Sequence, residues 1–255
     1  MNTSIKIIKS DGILSLILAR PEKKNALTDA MYKALADALL ASEEDVHTRV
    51  VLISAEGDTF SAGNDIGEFA NASPDDTGPR NVLRFLRAIA TLTKPVIAAV
   101  QGRAVGVGTT MLLHCDQVLL AENALLSTPF VNLALVPEAC ASLLMPARIG
   151  YVRAFSMFAL GEAISAKDAV AWGIANKVVL IEELAEQSIS LARRLTQQPS
   201  GALIATKKLM RDTSMIVSHM EIETVEFSHR LVSAEAKEAF SAFAQRRVPD
   251  FNTIV

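Results

Sequence analysis

Cysteine is scarce: Cys115 and Cys140 are the only two in 255 residues. Two thiols give no disulfide framework, so a buried apolar core must hold the fold, and the scarcity suits a reducing, cytoplasmic location. Positive charge is not in excess either, because 25 Lys and Arg face 28 Asp and Glu for a formal net charge of −3. Scattered cations under a net negative balance lack the basic stripe of a nucleic-acid footprint, so no nucleic-acid partner is expected. No apolar run reaches the roughly 18 residues of a membrane span, so no membrane partner is expected. Met1–Gly12 spreads Lys6, Lys9 and Asp11 along an alternating pattern, which is not the charged head and apolar core of a signal peptide. His47, His114, His219 and His229 show no metal-ligand spacing. No fixed-period repeat or low-complexity segment interrupts the chain.

What is present is a globular balance, half apolar and 21% charged, on a length that favours one large core with an appended element. Ile13–Leu18, Val50–Ser54, Val96–Val100, Gln117–Ala121 and Leu125–Thr128 read as buried strands. Thr28 sits where an N-cap would, ahead of an amphipathic helix carrying Met31, Leu35 and Leu39 to about Glu43. Further helices are expected near Val82–Leu92, Val107–Cys115 and Cys140–Ile149, and Ser165 caps one that Gly173 ends. Strands alternating with helices define an α/β class. Asn71–Asn81 is rich in Ser, Pro, Asp and Gly and reads as a surface loop, a candidate lid. After Pro199 the pattern is purely helical, which places a boundary between residues 1–198 and 199–255. Met215, His219, Ile222, Phe227, Leu231 and Phe240 offer apolar faces there that need a partner.

Two segments carry the chemistry. Phe60-Ser61-Ala62-Gly63-Asn64-Asp65-Ile66 follows a strand and is built of small residues, which expose backbone amides. Val100–Thr110, with Gly102, Gly106 and Gly108, ends a strand and opens a helix whose first N–H groups lack internal partners. Facing each other, they could offer two donors to one developing oxyanion, helped by the helix dipole. Nucleotide readings fail on particular residues. Gly108-Thr109-Thr110 lacks the Lys of a phosphate loop, and Met111 stands where a dinucleotide fingerprint needs its third Gly. Ser61 lacks the Gly-x-Ser-x-Gly setting of a hydrolase nucleophile. His114, Cys115 and Trp172 read as packing residues.

These segments, with Arg20-Pro21-Glu22-Lys23-Lys24-Asn25-Ala26-Leu27, Ala166–Val179 and Ala239–Arg247, resemble the crotonase or enoyl-CoA hydratase/isomerase superfamily over nearly the whole chain. The resemblance implies a ClpP-like α/β spiral of ββα units over residues 1–198, a helical trimerisation region over 199–255, and a homotrimer or a hexamer built as a dimer of trimers. It implies an oxyanion hole from the N–H groups of Ala62 and Val107. An acyl-CoA would contact Lys24, Ala26, Ala62, Gly63, Asn64, Asp65, Ile66, Gly106, Phe130 and Arg246. Coenzyme A is part of that substrate, and no further cofactor or metal is implied. A Gly is usual at position 107, so Val107 keeps the donor and narrows its surroundings.

The two glutamates that family hydratases use to activate water fall on Thr110 and Phe130, neither of which takes a proton near neutral pH. Val136-Pro137-Glu138-Ala139 instead resembles the branch of Δ3,Δ2-enoyl-CoA isomerases whose base opens this helix, so Glu138 becomes the catalytic candidate. Apolar neighbours should raise its pKa, and the helix N-terminus should lower it. The leading expectation is 3-enoyl-CoA to 2-enoyl-CoA isomerisation. A 2-enoyl-CoA hydratase or another acyl-CoA lyase is the enzymatic alternative, and a non-catalytic acyl-CoA- or RNA-binding member is the alternative class. Outside the family, a carboxylate after Pro137 would simply complement a helix dipole.

Overall fold

The computed structural model describes residues 4–70 and 81–254, so the Asn71–Asn81 loop read as a candidate lid lies outside the described residues up to position 80. The chain begins with a hairpin, β1 (Ile5–Ser10) and β2 (Ile13–Leu18), paired antiparallel from Ile5 opposite Leu18 to Ser10 opposite Ile13. Its tight turn is Asp11-Gly12, both at positive φ (53° and 77°), the backbone that a two-residue hairpin loop demands. Thr28 then caps α1 (Asp29–Glu44), its hydroxyl accepting from the Met31 N–H at 3.3 Å. Next come β3 (Val50–Ala55), α2 (Ile66–Ala70), α3 (Asn81–Thr91) and β4 (Val96–Val100). Asp29 holds the start of α3 by accepting from the Asn81 N–H and side-chain amide at 3.2 and 2.7 Å.

The chain continues through β5 (Arg103–Val105), α4 (Val107–Thr110), β6 (Gln117–Ala121) and β7 (Leu125–Ser127). The helix expected over Val107–Cys115 is thus one short turn that tightens into a 3-10 stretch at Met111–His114. Then follow α5 (Ala141–Ile149), α6 (Tyr151–Phe155), β8 (Ile164–Ser165), α7 (Ala166–Ala171), β9 (Lys177–Val179) and α8 (Leu184–Thr196). Ser165 caps α7 through the Asp168 N–H at 3.1 Å.

Six strands form the main sheet in the order β1-β2-β3-β4-β6-β9, parallel except for the hairpin, and β5-β7-β8 form a small second sheet. Both faces of the main sheet are covered, which is why its central strands read as unbroken apolar runs. Val51 and Ile53 of β3 point to a cluster with Met31, Leu35 and Leu39 of α1 and Phe85 and Ile89 of α3. Val50 and Leu52 point the other way, to Leu184 and Ala192 of α8. Each such side chain contributes about 1.5–3 kcal/mol on full burial.

Residues beyond Pro199 form α9 (Ser200–Met210), α10 (Thr213–Leu231) and α11 (Ala234–Gln245). α10 packs on α3, and α11 packs on α2. The buried face of α10 is Ile216, Met220, Glu223 and Leu231, while Met215 and Ile222, among the apolar residues read as needing a partner, stand exposed. No helix of the described residues is long and apolar enough to cross a membrane.

Candidate active site

The site begins where the two small-residue segments touch. Phe60 and Ser61 run beside Gln101–Val105, with Phe60 N–H on the Gln101 carbonyl (2.9 Å), Ser61 N–H on Arg103 (3.1 Å) and Val105 N–H on Ser61 (2.9 Å). The approach is close enough to require glycine. A Cβ on Gly63 (φ +92°) would lie 3.0 Å from the Val105 carbonyl oxygen, and one on Gly108 would lie 3.0 Å from the Ser61 Cβ. Gly106, at φ 54° and ψ −119°, turns β5 into α4 through backbone that other residues avoid.

The amides of this junction differ from the sequence expectation at one position. The Ala62 N–H, expected in the oxyanion hole, donates to the Lys24 carbonyl at 2.9 Å and is therefore occupied. Two residues on, Asn64 forms a parallel bridge with Leu27, in which Leu27 bonds the Gly63 carbonyl (2.8 Å) and the Asp65 N–H (3.0 Å). That geometry turns the N–H of Asn64 itself away from Leu27, and it has no acceptor among the described residues. The Val107 N–H opens α4, where no intrahelical acceptor exists. Asn64 and Val107 line the same cavity of about 360 Å³, with Ile66, Phe130, Leu135 and Phe240 around them.

Glu138 lies three residues before α5 rather than opening it. Ala139 (φ +63°) and Cys140 (φ +58°) both adopt left-handed backbone, at a cost of roughly 1–2 kcal/mol each for non-glycine residues. Neighbours hold this loop in place. The ring Nε2 of His114 meets the Ala139 carbonyl at 2.8 Å. Glu223 of α10 accepts from the Cys140 N–H (2.5 Å), the Ser142 N–H (2.8 Å) and the Ser142 hydroxyl (2.5 Å). The dipole of α5 is thus met by Glu223, not by Glu138.

Glu138 is only 8% exposed, and its Oε1 is buried without a hydrogen-bond partner. Burial first and the Glu223 charge second push its pKa up to about 8, while the Asn64 side-chain amide acts in the opposite direction. Burial and the Glu223 charge outweigh that one opposing contact. Glu138 opens on a second cavity, of about 260 Å³, walled by Leu83 and Leu86 of α3 and Met220 and Val225 of α10. Phe227 borders both cavities.

The remaining predicted residues divide. Ala62, Gly63, Ile66, Gly106 and Phe130 join Asn64 and Val107 around the first cavity. Lys24 and Ala26 do not line it: the Lys24 ammonium is held by both oxygens of Asp58 (3.0 and 2.8 Å), and the Ala26 carbonyl accepts from Arg20 at 3.0 Å. Asp65 turns its carboxylate to Arg20 at 2.7 Å and caps the Gly67 N–H, so its role is to shape the loop. Arg246 is the left-handed C-cap of α11 and points elsewhere, whereas Arg247 lines the cavity, paired with Glu238. Thr110 is fully buried with an unpartnered hydroxyl. His114 and Cys115 are buried packing groups, burial holding the His114 pKa down at about 3. Trp172 is partly buried and stacks under Arg153 at 4.8 Å.

Sequence reasoning missed the side chains of Tyr32 and Glu223, which no local motif marks, and read Phe227 only as part of an apolar helix face. A further cavity, about 490 Å³ beside β6, contains none of the site residues. Of the cations lining it, Lys207 pairs with Asp116 at 2.7 Å, Arg148 donates to the Leu113 carbonyl at 2.7 Å and Arg211 meets His114. No cluster of three metal-ligating side chains occurs among the described residues.

Known proteins share this fold along nearly the whole chain. The crystal structure of an enoyl-CoA hydratase/isomerase from Pseudoalteromonas atlantica superposes with a TM-score of 0.93 at 38% identity, covering 97% of this chain and 99% of that one. Pseudomonas aeruginosa OdaA superposes at 0.90 with 42% identity, over 94% and 98% of the two chains. In sequence, the 1,2-epoxyphenylacetyl-CoA isomerase of Escherichia coli is 35% identical over 94% of this chain and 95% of its own length. A carnitinyl-CoA dehydratase of Salmonella arizonae is 33% identical over 98% and 99%. The enoyl-CoA hydratase/isomerase family profile matches residues 9–253. With a crotonase-type α/β fold and a helical C-terminal region, the chain belongs to the enoyl-CoA hydratase/isomerase family of acyl-CoA-processing enzymes.

Proposed function

We propose that this enzyme isomerises a 3-enoyl-CoA to the 2-enoyl-CoA, with Glu138 as the one proton carrier. The observation that carries the reading is Glu138 itself: a buried carboxylate with a free oxygen and a pKa raised to about 8, while the two hydratase positions hold Thr110 and Phe130 instead of acids. The thioester oxygen accepts from the N–H groups of Asn64 and Val107. Glu138 removes a proton from C2, and the electron pair moves onto that oxygen as a dienolate. The protonated Glu138 then returns the proton to C4, and the double bond re-forms between C2 and C3. A group that is first base and then acid works best with a pKa near the working pH, and one carboxylate suffices. No metal or redox cofactor is required by this scheme.

The larger site cavity suits the thioester and pantetheine, and the apolar one beside Glu138 suits the acyl chain. Residues 199–255 serve as the trimerisation region of a cytoplasmic homotrimer or dimer of trimers, which would cover exposed Leu209, Met210 and Ile222. The relative named as a carnitinyl-CoA dehydratase supports a second reading, a 2-enoyl-CoA hydratase or another acyl-CoA lyase acting through Glu138 alone. The same oxyanion hole can serve several chemistries. A panel of 3-enoyl and 2-enoyl thioesters separates the two: isomerisation should outrun hydration of crotonyl-CoA, and the reverse order would favour the lyase reading.

A further inference from the structure

We infer that Tyr32 is a positioning residue for this site: its hydroxyl fixes the orientation of the Asn64 side-chain amide, so that Asn64 sets Glu138 relative to the oxyanion donor. The inference rests on the proposed reaction only for what Glu138 does there.

Tyr32, on α1, is 3% exposed, with its ring packed against Phe85 at 5.6 Å between centroids. It lines neither site cavity, so it does not reach substrate. A buried phenol must find an acceptor, and here the hydroxyl donates to Asn64 Oδ1. An amide whose oxygen is taken on one side presents its NH₂ on the other. Glu138 is near enough for the Asn64 amide to favour its charged form.

The main chain of Asn64 is clamped by its bridge to Leu27. One residue therefore brings a backbone N–H to the first cavity and a side-chain amide that favours the charged base. Without the Tyr32 hydroxyl, the amide can rotate and turn its oxygen toward the carboxylate, which repels the charged form. Burial with the Glu138 and Glu68 charges holds the phenol well above its ordinary pKa, so it remains a donor.

Other charged groups face the same region and stay in place in this comparison. Glu223 of α10 lies beside Glu138, with His219 beyond it, and Arg87 of α3 pairs with Glu221 of α10 at 2.8 Å on the cavity wall. Among the described residues, the side-chain donor to the Asn64 amide oxygen is the Tyr32 hydroxyl.

The test is Tyr32→Phe, which keeps the ring packing. Infrared titration of ¹³C-glutamate-labelled protein without substrate, with the Glu138→Gln difference spectrum assigning the band, gives the Glu138 midpoint directly. The expected result is a midpoint raised by about one pH unit. The corresponding loss in kcat at pH 7 is about tenfold, because the charged fraction falls in proportion. Affinity for a saturated acyl-CoA should stay within about twofold. An unchanged midpoint with unchanged kcat overturns the inference. Should Tyr32→Phe not fold, Asn64→Ala keeps the backbone donor and must raise the same midpoint, and no rise overturns the inference equally. If wild-type protein fails to isomerise 3-enoyl thioesters, the proposed function falls while the substrate-free midpoint still decides the role of Tyr32.

Discussion

The Cys140 N–H donates to the Glu223 carboxylate at 2.5 Å, so the start of α5 is capped by a side chain from α10 rather than by a residue of its own segment. Glu223 thereby fixes the two left-handed residues that follow Glu138, and it places a second buried carboxylate beside the base.

Glu223→Gln should therefore act in two ways. Removing the charge lowers the Glu138 midpoint, so the acid limb of kcat moves to lower pH. Loss of charge-assisted bonds at the helix start should cost about 1.5–3 kcal/mol of stability. Denaturant unfolding and a pH–rate profile read the two effects separately. A profile unmoved from wild type would mean that Glu223 only caps.

Glu138 should destabilise the fold at alkaline pH. Its folded pKa, about 8, lies above the ordinary carboxylate value, so the folded state binds a proton that the unfolded state has lost between those two pKa values. Stability from this group is present below about pH 4.5 and is lost as pH rises toward 8, by about 1.4 kcal/mol per unit across that window. Glu138→Gln should raise the Tm more at pH 8.5 than at pH 5, in paired calorimetric scans.

Gly63→Ala and Gly106→Ala should separate crowding from backbone strain. At Gly63 the new methyl meets the Val105 carbonyl at 3.0 Å in a left-handed backbone, whereas at Gly106 it meets open space and only the backbone objects. Gly63→Ala should lower stability by more than the roughly 1–2 kcal/mol expected at Gly106, as unfolding titrations of both variants will read.

Arg247→Gln should weaken acyl-CoA binding, while Arg246→Gln should not, because Arg247 alone of the pair lines the cavity. Calorimetric titration with a saturated acyl-CoA is expected to show up to about tenfold loss for Arg247, consistent with one exposed charge contact.

The parts of the fold legible in the sequence are those whose cause is local. Thr28 and Ser165 cap helices through N–H groups three residues ahead, and β3 and β4 are apolar because both sheet faces are covered. The glycine spacing at 102, 106 and 108 likewise announced a close approach of two segments. Causes that lie across the fold stayed hidden. The choice between Ala62 and Asn64 as donor depends on which N–H groups Lys24 and Leu27 occupy. Glu223 caps a helix more than eighty positions earlier in the chain. Arg246 and Arg247 exchange roles because α11 ends at Gln245 with a left-handed residue that reverses the chain. β1 was not read as a strand, because all of its residues but Ile5 are exposed and its pairing depends on β2.

Glu138 is proposed here as the group that carries the proton between C2 and C4. Single-turnover conversion of a 3-enoyl-CoA by wild type and Glu138→Gln, at matched acyl-CoA occupancy, tests it most directly. The account predicts a loss of about 10²–10⁴ in the isomerisation rate with binding preserved. Isomerisation by Glu138→Gln at close to the wild-type rate would contradict it.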